Sequence, residues 1–100
     1  MRHSYAVVWS RNGDVGSGRL DSFEDRFELQ GRGRRLSVPF SSLARASILR
    51  GHDDRLRGLP VLRLELAKGL PVRIASLEGT AALHELADRV EHAGLLVAAA

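Results

Sequence analysis

The side chains with chemistry to offer are mainly arginines. Arg32, Arg34, Arg35, Arg50, Arg55 and Arg57 gather in the middle of this 100-residue chain. Guanidinium groups bind carboxylates and phosphates through paired, charge-assisted hydrogen bonds. Residues 31–57 carry seven arginines against Asp53 and Asp54. Residues 1–30 carry four against five acids, and residues 58–100 carry three with Lys68 against five. The formal charge of +3 therefore resides in that middle stretch, and an acidic partner would meet the chain there. Solvated turns are the competing description. Gly31 and Gly33 fit a tight exposed hairpin around Arg32 and Arg34, and Asp53 and Asp54 can neutralise Arg55 and Arg57. Only the fold decides whether the two arginine groups converge.

Other sets carry less. His84, Asp88 and His92 recur every four residues, so one helical face could present two imidazoles and a carboxylate to a metal. The same spacing describes a wet helix face beside an apolar stripe. His52-Asp53-Asp54 offers a base and carboxylates without a nucleophile or oxyanion donor, and Ser41-Ser42 has no histidine in a nucleophile motif. With no cysteine there is no thiolate ligand, disulfide or cysteine nucleophile. The expectation is a chain that is not an enzyme, with no catalytic residue, metal site or cofactor. Nucleic acid is disfavoured as well. Base stacking needs exposed aromatics, whereas Tyr5 and Trp9 share one face of one strand, a pattern of cores and barrel rims.

The elements that must position the arginines are short strands. At this length a single domain is expected, spanning residues 1–94, with an apolar tail at 95–100. Residues 5–9 are rich in β-formers and end at Asn12-Gly13, a strong hairpin signal. Residues 18–21 and 26–30 set Leu20, Phe27 and Leu29 on one face, and residues 35–40 alternate until Pro39. After a corner at 41–43, residues 44–50 turn Ala46 and Ile48 inward. Residues 51–59 read as a polar, charged loop. Leu62, Leu64 and Leu66 then pair with Val72 and Ile74 across a Lys68-Gly69 turn. Thr80 is the expected N-cap of a helix that buries Leu83, Leu86, Ala87 and Val90 and stops at Gly94. The tail would pack on the barrel or join a homo-oligomer.

Seven strands followed by one amphipathic helix resemble the pleckstrin-homology-like superfold, including bacterial PH-like and GRAM-like domains. The pieces that carry the likeness are Gly16-Ser17-Gly18-Arg19-Leu20, the corner from Leu36 to Leu43, and the helix from Thr80 to Ala93. The resemblance implies a mainly β fold: a seven-stranded antiparallel barrel or sandwich capped by a C-terminal helix. Membrane-binding members hold head groups with several basic residues at the first hairpin. This chain offers Arg11 and Arg19 there, with Asp14 beside the turn. The resemblance thus implies a protein-contact module. Arg32, Arg34, Arg35, Arg55 and Arg57 are the expected contacts with an acidic protein partner, and an anionic membrane surface is the alternative. Fourteen arginines against one lysine suggest a bacterial source. The short apolar run near the start and the lack of any spanning stretch suggest the cytoplasm.

Overall fold

Alternation of apolar and polar residues gives each strand one face to bury, and the seven faces join into one concave surface. The computed structural model describes the backbone of residues 3–31 and 33–99 and the side chains of residues 3–31 and 33–92. Among them are seven strands, β1 (His3–Arg11), β2 (Asp14–Ser22), β3 (Arg26–Gly31), β4 (Arg34–Pro39), β5 (Leu43–Leu49), β6 (Val61–Leu66) and β7 (Val72–Ser76). The helix α1 (Thr80–Ala99) follows. Every pairing is antiparallel, and the strand order is β4-β3-β2-β1-β7-β6-β5. The sheet curls into a half-barrel, and the short 3-10 turn at Phe40–Ser42 joins its two outermost strands. The fold is mainly β with a single C-terminal helix, as the alternation predicts.

The inward residues are those expected from their period of two: Tyr5, Val7 and Trp9 on β1, Leu20 on β2, Phe27 and Leu29 on β3, Leu62 and Leu64 on β6, Val72 and Ile74 on β7. Helix α1 closes the concave side with Leu83, Leu86, Ala87 and Val90. Each buried aliphatic side chain contributes about 1.5–3 kcal/mol of transfer free energy. β1 and α1 are also joined by a polar contact, in which the Tyr5 hydroxyl donates to Glu85 Oε1 at 2.9 Å while Arg89 Nε reaches the same oxygen at 3.3 Å.

Three expectations need correction. The second strand starts at Asp14, well before Gly18, because β1 and β2 stay paired up to a two-residue turn with Asn12 at φ 55° and Gly13 at 84°. The helix does not stop at Gly94 but runs on to Ala99. A helical glycine costs only about 1 kcal/mol, and Leu95, Leu96 and Ala98 favour the helix. Its first bond runs from Leu83 N–H to the Gly79 carbonyl, so Thr80 is already helical instead of capping. The expected packing or homo-oligomer contact of the tail concerns side chains outside the described residues.

The loop at 51–60 is not simply polar. Leu56 and Leu59 exchange backbone hydrogen bonds at 3.1 and 2.9 Å around a turn with Arg57 at φ 50° and Gly58 at 78°. Leu56, 5% exposed, lies on Val8, Val61 and Ala75 across the convex face of the sheet. The loop is thereby fastened by a small second core.

Two outcomes test this architecture. A Cβ at Gly18 would overlap the Gln30 carbonyl across the β2–β3 pair, so Gly18→Ala should lower stability by roughly 1–3 kcal/mol in urea denaturation. The Glu85 carboxyl sits below its ordinary pKa, chiefly through the Tyr5 hydroxyl and then through Arg89. A lowered folded-state pKa adds stability above the unfolded value and loses it as pH falls through the folded one. In a carboxyl-detected NMR titration, Tyr5→Phe should move the Glu85 midpoint upward, and an unmoved midpoint would show that the hydroxyl does not set it.

Candidate functional site

Three separate stretches supply the site: the end of the β1–β2 hairpin, the start of β4, and the tip of the 51–60 loop. On β4, Arg34 has the same inward parity as Leu36 and Val38, and it occupies the mouth of the half-barrel instead of the core. Its guanidinium carbon lies 4.0 Å from the centre of the Trp9 ring. Nη1 donates to the Asp14 carbonyl and Nη2 to the Trp9 carbonyl, both at 3.2 Å. Trp9, 2% exposed, is itself fixed by its Nε1 donating to the Gln30 carbonyl at 3.2 Å. Cation–π stacking and two carbonyl acceptors hold the Arg34 fork in place with N–H donors to spare.

Arg57 arrives from the convex side. Leu56 anchors the loop beneath it, and Arg57 Nη1 donates to Ser17 Oγ on β2 at 2.7 Å. Arg34 and Arg57 consequently line one cleft of about 590 Å³ with residues 14–17 of β2. A second cavity of about 380 Å³ opens at the barrel mouth, bordered by Trp9, Arg11, Arg34, Arg35 and Leu70. Asp14 borders both spaces and is the single carboxylate there, so four guanidiniums face one acid. The Arg11 Nε is buried and has no hydrogen-bond partner among the described residues.

The expected arginines divide. Arg34 and Arg57 meet in the cleft, and Arg35 borders the mouth. Arg55 folds back on its own loop, donating to the Arg50 carbonyl at 3.3 Å and the Gly58 carbonyl at 2.9 Å, and borders neither space. Arg32 lies outside the described residues. Arg50 contacts His84 Nε2 at 2.7 Å across to the helix. Sequence reasoning gave no site role to Trp9, and weighed Arg11 only as a head-group contact of the first hairpin. The signal for both was present: Arg11 follows Trp9 at i+2 and must share its face. Among the described residues no three metal-ligating side chains come together, and no helix is long and apolar enough to cross a membrane.

No protein-family model matches the chain, and no curated protein matches it. Among solved structures it is similar to the C-terminal domain of an unknown protein from Leishmania infantum. The TM-score is 0.66 at 11% identity, over 88% of this chain and 81% of that one. At that identity the likeness concerns the fold.

Proposed function

We propose that this chain is a non-enzymatic binding module that takes an acidic protein partner at the barrel rim. One observation carries the reading. Arg34 and Arg57, far apart in sequence and approaching from opposite faces of the sheet, line a single cleft, and Arg11 and Arg35 border the adjoining mouth. Converging guanidiniums of this kind favour carboxylates, raise the association rate of acidic partners and lose strength in salt. Strand order, curl and the closing helix support a pleckstrin-homology-like type for the module. The arginine bias supports a bacterial source, and a bacterial cytoplasm is the setting we assign to it.

An anionic membrane would use the same charges, and the position of Arg34 speaks against it. A guanidinium stacked on Trp9 inside the rim and bonded to the Asp14 and Trp9 carbonyls suits a segment that enters the cleft better than a flat bilayer. Arg57 gives the clean test, because asparagine tolerates its positive φ while removing the guanidinium and its bond to Ser17. Arg57→Asn should weaken binding of a short polyglutamate peptide about tenfold at low salt in fluorescence anisotropy, with the melting temperature unchanged. Wild-type protein that ignores polyglutamate yet sediments with vesicles rich in anionic lipid would replace the protein partner with a membrane.

A further inference from the structure

β2 is only partly covered. β3 pairs with it from Gly18 to Ser22, ending where Gly31 meets Gly18, so no described strand runs beside residues 14–17. The direction of the backbone groups there follows from β1. Ala6 accepts from Leu77 N–H and donates to the Glu78 carboxylate, both on the side away from β2. In an antiparallel ladder this alternates by two, so the even residues of β1 face β7, and their partners on β2, the odd residues, face away from β1. Val15, paired with Ser10, therefore turns its N–H and C=O to the uncovered edge. Its side chain is 48% exposed. An edge of this kind is a template for another strand.

The charges flanking that edge say what the strand would be. Arg34 stands on its concave side, where Gly16 has no side chain and a Cβ would come 3.2 Å from the guanidinium. Arg57 stands on its convex side, on Ser17. Successive side chains of an added strand point to opposite faces, so two adjacent acidic residues would meet one guanidinium each.

Resting on the acidic-partner reading above, we propose that the partner is an extended peptide segment with two adjacent acidic residues, bound by strand addition to the edge of β2 at Val15. Main-chain hydrogen bonds supply the register, and the Arg34–Arg57 pair selects the charge. An added strand directs only every second amide to β2, and this separates strand addition from docking by side chains alone.

The probe is a seven-residue peptide with two central glutamates flanked by valine and threonine. It is made in two further forms, N-methylated on one or the other alternating set of amides, and titrated into the whole chain by fluorescence anisotropy at low salt. One methylated form should bind about tenfold more weakly and the other within about threefold of the parent. Val15→Pro, which removes the outward N–H from an edge position, should weaken the parent peptide about as much as the sensitive methylated form is weakened, with the melting temperature of the protein unchanged. Equal tolerance of both methylated forms, with Arg57→Asn still weakening the parent peptide, would overturn strand addition and keep the acidic-partner reading. No binding of the parent peptide or of polyglutamate would overturn both.

Discussion

β1 hydrogen-bonds along both edges, to β2 on one side and to β7 on the other, and everything else in the molecule hangs from that double pairing. It joins the hairpins of the first half of the chain to those of the second, so one continuous sheet can curl around one core. It also fixes which backbone groups are spent internally. Because the even residues of β1 are committed to β7, the odd residues of β2 must look the other way, and the exposed edge at the rim follows from a contact on the far side of β1. Such pairing between distant parts of the chain bears the entropy of closing a long loop. The local β1–β2 pairing avoids that cost through the tight Asn12-Gly13 turn.

The rim combines two ways of holding a guanidinium. Arg34 is built in: Trp9 beneath it, carbonyls of Trp9 and Asp14 beside it, and a glycine opposite. Arg57 is a left-handed turn residue whose side chain, among the described residues, is tied to a serine hydroxyl. The first is held by a stacked ring and two carbonyls, and the second is placed because its neighbour Leu56 is buried. A preorganised donor loses little freedom on binding, which favours affinity without a deep pocket.

Much of the fold was legible because burial on one face imposes a period of two that survives in Leu62, Leu64 and Leu66 or in Phe27 and Leu29. What sequence could not show was the second core. Leu56 is a lone apolar residue among Asp53, Asp54, Arg55 and Arg57, and nothing local says that it crosses the convex face to Val8 and Val61. The convergence of Arg34 with Arg57 was hidden for the same reason, since it depends on where that loop lands. Arg55, equal to Arg57 in the charge pattern, is satisfied by the carbonyls of its own loop, a distinction of geometry alone. Gly94 misled because a glycine ends a helix only when the residues beyond it prefer another conformation.

Positions 56 and 57 are adjacent, yet they answer to different pressures. Leu56 anchors the loop and tolerates little change, while the residue after it contributes charge at almost no structural cost. A lineage can therefore exchange residue 57, altering which partners the rim accepts, without crossing the stability threshold that limits most substitutions. Arg34 has less freedom, because it stacks on Trp9 and donates to two backbone carbonyls. Divergence in recognition among descendants of this chain would accordingly be written at the loop tip, against a constant arginine on the opposite wall.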